Sequence, residues 1–469
     1  MFGSKYFPDY LRFFLIIVLT VVFTYFTPRI LAVIWYLILL IWYYRSSDEP
    51  FWLVIFLTTT DGFMSFMGLY EVTLPVLPGL PAIELIQFYI ILSFIKASRI
   101  KAAPYIFFNR LLILIGLYII FMIVWGQMMG FSEGINGYFR LAKLTLPLLL
   151  FYSVPRHFRS MAFYERLLRF IFILLMTGFI TQLFTLLVGQ SPAGLFNVTV
   201  EKPVEPGEFR GFYNMAAILI GLLGALFYVA YGQKGKFNEV YLYVLIFSAF
   251  GMALLSATRG WIISFGLIIL LSLFIGKFKI NRMIGFIIII GTLSYLGWSN
   301  AKIREQVLFS QERLESLGAL TEGDITAGGT LKRLNVRGPR VMAVWKENPI
   351  FGWGFSDVSR RYNDGHVANQ NLLMASGVAG VILLTYFFIY FSIRMIERYI
   401  FLPKHHLLKS TTLVFIVFLW GWVFIHSTSG QHFSYGGIPL LIVPQAVFFS
   451  FGALIYRETF KLPGRRNID

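Results

Sequence analysis

Apolar runs near the length a helix needs to cross a bilayer, about 20 residues, recur along this chain with only short polar breaks between them. They predict spans near 11–26, 30–44, 51–70, 83–95, 105–126, 141–154 and 167–188, then near 211–231, 239–257, 261–276 and 283–297. After a gap they resume near 371–393, 411–426 and 438–457. Several runs are short, so the expectation is an all-α, polytopic membrane protein with roughly 12–14 crossings. The gap divides the chain into residues 1–297, a long polar insertion over 298–370, and residues 371–469. Within the insertion, Ile303, Val307, Leu314 and Leu317 recur at helical spacing with charges between them, which predicts an amphipathic helix on the membrane surface. A second helix is expected over 338–347, ending before Pro349, and Gly352 with Gly354 predicts a tight turn. The small and acidic residues of 321–330 read as a lid or an unstructured link.

Composition excludes a soluble domain: of 469 residues 57% are hydrophobic and only 13% charged, too few to cover a water-facing surface. A net charge of +17 would suggest nucleic acid in a soluble protein. Here, however, the basic residues gather in alternate loops, such as Lys96 to Lys101, Arg156 to Arg166, Lys277 to Arg282 and Arg394 to Lys409, as topology signals do. Those loops and both termini are therefore expected on the cytoplasmic side, and the insertion on the opposite side. No nucleic-acid partner is implied. The first apolar run lacks a small-residue cleavage site and reads as a retained span. The chain has no cysteine, so disulfides and thiolate metal sites are excluded. His405 with His406 lies in a basic loop that suits lipid phosphate better than a metal. No metal site is expected.

The topology rule makes the arginines of the other side informative. Arg210 and Arg259 fall where spans meet that boundary, and the insertion adds Arg333, Arg337 and Arg340. Any one of them reads as a side chain snorkelling to lipid phosphate, but three separate regions delivering arginine to one side favour a shared anion site. Guanidinium holds phosphate oxygens in pairs and stays charged when partly buried, so the site suits a lipid-linked diphosphate. His366 is the proton-handling candidate beside it, weighed against a loop histidine bound to backbone, with Asp364 and Glu208 as alternative bases. Trp345, Trp353 and Tyr362 either stack on sugar rings or anchor the membrane boundary. Asp61 is the main charge inside a span, a functional or helix-pairing candidate. The absence of a long internal repeat counts against transporters built from inverted repeats.

The run RVMAVWKENPIFGWGFSD, followed by His366, Gly377 and Gly380, resembles the shared signature of the bacterial O-antigen ligase and O-antigen polymerase family. Arg210 in RGFYNMAA, with Asn214, and Arg259 in SATRGW fit the same pattern, so the resemblance spans roughly 210–382. One position departs: Val367 stands where family members often have asparagine after the histidine, and the nearest is Asn369. The resemblance implies a C-type glycosyltransferase architecture in the bacterial inner membrane. It implies a metal-independent, inverting transfer, without cofactor, of a glycan from an undecaprenyl-diphosphate donor at the periplasmic face. The acceptor is another glycan or lipid A core, and a chain-length regulator protein is an expected partner. His366 and Arg259 would then be catalytic, Arg210, Arg259, Arg337 and Arg340 would hold the diphosphate, and Asn369, Trp353 and Tyr362 would contact acceptor or sugar. Polymerase is favoured over ligase because this chain departs from the commoner histidine motif. The rival of another class is a transporter or flippase of lipid-linked sugars, which should place charge along a central pathway rather than at one side.

Overall fold

In a computed structural model, the described residues are 6–60, 72–74, 82–101, 104–131, 134–195, 204–207, 209, 211–232, 237–275, 291, 295, 297–315, 333–425 and 434–460. Arg210, Glu208, Asp61, Leu317 and the 321–330 segment lie outside them, as does most of the expected span at 283–297. The first part comprises α1 (Phe7–Tyr25), α2 (Arg29–Arg45), α3 (Glu49–Thr60), α4 (Leu85–Ser98), α5 (Asn109–Met128), α6 (Gly134–Thr145), α7 (Leu150–His157) and α8 (Met161–Val188). It continues through the short α9 (Pro192–Leu195) to α10 (Met215–Tyr231), α11 (Glu239–Leu255) and α12 (Arg259–Ile275). The insertion carries α13 (Ala301–Glu315), a π-helical turn (Arg333–Arg337), α14 (Gly338–Lys346) and α15 (Asp357–Tyr362). The chain then runs through α16 (Ala368–Phe401), α17 (Lys409–Ile425) and α18 (Pro439–Glu458). A two-residue antiparallel pair, Thr73–Leu74 with Ile83–Glu84, is the only sheet among the described residues.

The fold is all-α. Five helices, α1, α5, α8, α16 and α18, are long and apolar enough to cross a membrane. Others, including α4, α10, α11 and α12, are apolar but shorter; a 17-residue helix reaches about 26 Å, a little less than the hydrocarbon thickness. The expected count of spans therefore resolves into full-length helices, shorter ones, and residues outside the description. One expectation is corrected outright. The run at 141–154 is not a single helix but the end of α6, a 3₁₀ turn over Leu146–Leu149, and α7. Pro147 explains the break, since it removes a backbone donor and crowds the preceding turn.

The bundle is built around α10, where every residue from Ala216 to Tyr228 is buried, and α18, buried over nearly its whole length. Helix α10 packs on α8, α11, α12, α17 and α18. Small residues permit this: a Cβ at Gly221 would stand 2.6 Å from Leu175 of α8. Gln182 of α8 donates to the Met252 carbonyl of α11 at 3.0 Å, so a polar bond ties two apolar helices. At the end remote from the insertion, the buried Glu49 pairs with Lys96 and accepts from the Tyr43 hydroxyl at 3.0 Å. Arg166 bridges Asp9 and Asp48 nearby, fastening α1 and α3 to α8.

Helix α13 exists where its periodicity predicts, but it docks on protein rather than lying as a free surface helix. Its fully buried residues are polar: Gln306 donates to the Phe209 and Leu255 carbonyls at 2.9 and 2.7 Å, and Ser310 donates to Leu254 at 2.6 Å. Ile303, Val307 and Leu314 are only partly buried around them. Carbonyls of the loop at Phe209 and of the last turn of α11 hold this helix, which is why apolar spacing alone mistook its partner.

Candidate functional site

The predicted turn at Gly352 and Gly354 adopts left-handed backbone at both glycines, φ +66° and +58°. It wedges between α5 and α16. A Cβ at Gly352 would lie 2.5 Å from the backbone nitrogen of Gly377, and one at Gly354 would lie 2.5 Å from the Met122 carbonyl of α5, so only glycine fits either place. Opposite the turn, α16 is kinked at Gly377, whose φ of 61° and ψ of −176° belong to a region open essentially to glycine alone. The kink exposes backbone groups that the turn then satisfies. Trp353 and Gly354 donate to the Met374 and Ala375 carbonyls at 2.9 and 2.8 Å, while Val378 and Ala379 donate back to Pro349 and Ile350, each at 3.0 Å. Phe355 donates to Met122 of α5 at 3.2 Å, and the Trp125 indole donates to the Gly352 carbonyl at 2.9 Å.

This frame holds a charged cluster. Asp364 accepts from Arg337 at 3.5 Å and Arg340 at 3.4 Å, and its Oδ1 also accepts the backbone N–H of His366 at 3.0 Å. Asn371, on the first turn of α16, fixes the loop: its amide donates to the Asp364 carbonyl at 2.6 Å and its oxygen accepts from the Asp364 N–H at 3.1 Å. Asp364 is largely covered, whereas Arg337, Arg340 and His366 open to the outside. Beside the cluster lies a chamber of about 420 Å³, with Asn363, Gly365 and Asn371 on its wall and therefore flanking Asp364. Its other charged lining residues are Arg140 of α6 with Asp357 and Arg360 of α15. Four arginines face two aspartates across chamber and rim, a surplus of positive charge that suits an anion.

Arg259 opens α12 on the neighbouring part of the bundle. The residue two before it, Ala257, is buried with φ +49°, and Asn214, which caps α10 by accepting from Ala217 at 3.0 Å, has φ +53°. Among the described residues these are the only non-glycines with positive φ, and each sits within a few residues of an arginine singled out from sequence. Phe212 packs at a tilt on Trp261, ring centroids 4.4 Å apart, so the entry to α10 lies against the first turn of α12. The guanidinium of Arg259 adds to the positive end of its helix dipole.

No protein-family model matches this chain, and no curated protein matches it. The resemblance stated above therefore stands on the motif residues themselves.

The structure brings Arg337, Arg340 and His366 together through Asp364, which sequence reasoning had named only as an alternative base. Asn369 is exposed on the first turn of α16. Trp353 and Tyr362 are partly buried against a small core of Val341, Val344, Val367 and Met374, and the Trp353 indole donates to the Val344 carbonyl at 2.8 Å. Their rings are engaged in packing the insertion. Val367, the departure from the family pattern, is a member of that core. The description of Arg333 extends only to its backbone. Among the described residues no three His, Asp or Glu side chains gather as a metal-binding group. Sequence reasoning missed Arg140 and Arg360. Arg140 did carry a signal, an arginine at the end of a loop placed on the same side as the insertion; Arg360 adjoins Arg361 and looks like a solvated pair.

Proposed function

We propose that this chain is a membrane glycosyltransferase that moves a glycan from an undecaprenyl-diphosphate carrier to an acceptor sugar, as a repeat-unit polymerase of cell-surface polysaccharide. The reaction would take place at the periplasmic face of a bacterial inner membrane. What carries the reading is the clustering of Arg337, Arg340, Asp364 and His366 at the rim of a chamber that itself holds Arg140 and Arg360. An acceptor hydroxyl attacks the anomeric carbon from the face opposite the diphosphate, the bond from that carbon to the diphosphate oxygen breaks, and the configuration inverts. The acceptor proton passes to His366, which is exposed and whose loop is held by Asp364. The arginines stabilise charge as it develops on the leaving diphosphate, which makes a metal unnecessary for neutralisation. Asp364 keeps Arg337 and Arg340 aligned rather than taking the proton.

The test is product formation by purified protein in nanodiscs supplied with a defined undecaprenyl-diphosphate glycan, with and without lipid A core. Lengthened lipid-linked glycan without the core acceptor is expected. Transfer only to lipid A core would make the chain a ligase, and movement of intact donor across the bilayer without a new glycosidic bond would replace the transferase reading with a transporter.

A further inference from the structure

Two amides stand apart among the uncharged polar residues on the chamber wall. Gln445 comes from α18 and is only 6% exposed. Ser450, also buried on α18, is hydrogen-bonded to the Tyr164 hydroxyl at 2.6 Å, but none of the described residues hydrogen-bonds the Gln445 side chain. Away from the chamber its surroundings are apolar, with Leu219, Leu223 and Phe418 around a small cavity. A buried amide without a partner is costly, so this one calls for a group that enters the chamber. Asn371 is half used. Its two bonds to the Asp364 backbone take one N–H and one lone pair, and leave an N–H and a lone pair with no partner among the described residues. The serines of the wall are already engaged: Ser356 Oγ accepts the Ser359 N–H at 3.3 Å, Ser359 Oγ donates to the Gly354 carbonyl at 2.7 Å, and Ser434 Oγ donates to the Gly436 carbonyl at 2.5 Å. Asn369, expected from the resemblance to contact the acceptor, is exposed and lies outside the wall.

We propose that Gln445 and Asn371 hold a hydroxyl of the acceptor beside the one that reacts, and that Asn371 thereby sets the acceptor's position relative to His366. That the occupant is the acceptor rests on the function proposed above; the pair of unfilled amides rests on the chamber itself. An amide presents both a donor and an acceptor, and so does a hydroxyl, whereas a phosphate or carboxylate only accepts and would set its lone pairs against the amide oxygens. Gln445 is therefore a specificity residue that selects a hydroxyl-bearing group. Asn371 is a positioning residue, because the side chain that meets the occupant is also paired with Asp364, whose Oδ1 accepts the His366 N–H at 3.0 Å. The reacting hydroxyl is left free to give its proton to His366.

The full chain in nanodiscs would be given a saturating undecaprenyl-diphosphate glycan as donor and, as varied acceptor, the octyl glycoside of the same glycan, which lacks a diphosphate and cannot donate. Gln445→Leu removes the buried amide at similar volume, so the thermal midpoint should hold or rise while acceptor KM climbs about tenfold, the scale of one hydrogen bond, with kcat little changed. Asn371→Leu should raise KM and also lower kcat by about tenfold, and Asn371→Gln, which keeps both a donor and an acceptor, should recover part of that loss. In a His366→Ala background Asn371→Leu should cost little further kcat, since it acts through that residue. An unchanged acceptor KM in Gln445→Leu would leave its amide holding solvent alone and overturn the proposal. So would a lowered midpoint in Gln445→Leu, or a fully additive loss of kcat for Asn371→Leu beside His366→Ala, each of which marks a purely structural role. Binding of the octyl glycoside without donor, followed by saturation-transfer NMR, separates the two readings. Binding that is lost in Gln445→Leu, with no transfer by the wild type, would sink the transferase reading alone; transfer with wild-type binding in both leucine variants would sink this one alone.

Discussion

The resemblance assigns Arg259 to the donor and His366 to the acceptor of the proposed transfer, and two substitutions test that division. Arg259→Lys keeps the charge but loses the planar fork, so donor affinity and turnover should both fall. His366→Ala should leave donor affinity nearly intact while turnover falls roughly a hundredfold, the usual scale for a general acid-base group. The opposite pattern, donor binding lost in His366→Ala and kept in Arg259→Lys, would exchange the two roles. Asp364 gives a third readout. Asp364→Ala removes the partner of Arg337 and Arg340 and the acceptor for the His366 amide; turnover should fall more than donor affinity, because the arginines remain but lose their alignment. An unchanged rate would return Asp364 to a surface ion pair of small consequence. Arg337 and Arg340 were singled out in sequence because the expected topology disfavours arginine in the insertion, and His366 because imidazole can handle a proton near neutrality. The joining role of Asp364 was not, since it depends on a turn that brings residues 24 and 27 positions apart into contact.

Helix α16 and the glycine turn form one hydrogen-bonded unit, and its weakest point is Gly377. Alanine there would have to occupy a backbone region reserved for glycine, a strain of about 1–3 kcal/mol, and its Cβ would press on the Ile350 carbonyl. Gly377→Ala should therefore release the turn and abolish transfer while far-ultraviolet circular dichroism stays helical. Retained activity would mean that the kink plays no part in holding the cluster. The Gly352–Gly354 turn could be read in sequence because positive φ leaves a compositional mark, whereas Gly377 entered only through the resemblance. The run broken at Pro147 looked continuous because its hydropathy is continuous. The docking of α13 escaped for the reverse reason: its buried contacts are made by Gln306 and Ser310, residues that a hydrophobic pattern counts as exposed.

At the scale of the whole molecule, orientation and electrostatic self-sufficiency can each be tested. The chain has no cysteine of its own, so single replacements report without background. Gly323→Cys should react with a membrane-impermeant thiol reagent in intact spheroplasts and Gly235→Cys should not; the reverse would turn the proposed topology over. Transfer should also survive EDTA if, as proposed, the arginines carry the diphosphate charge, and a strict need for magnesium or manganese would remove that account. The hydrogen bonds that seat the turn have a further consequence, for timing during synthesis. They join Met122 of α5 to Phe355, 233 positions later, and residues 349–354 to 374–379, so the three parts leave the ribosome at widely separated times. A chain still being made has α5 and the arginines of the insertion in place, but the turn gains its four bonds to residues 374–379 only once α16 has followed it. The order of synthesis therefore completes the frame around Asp364 only when the last third of the chain has joined the first.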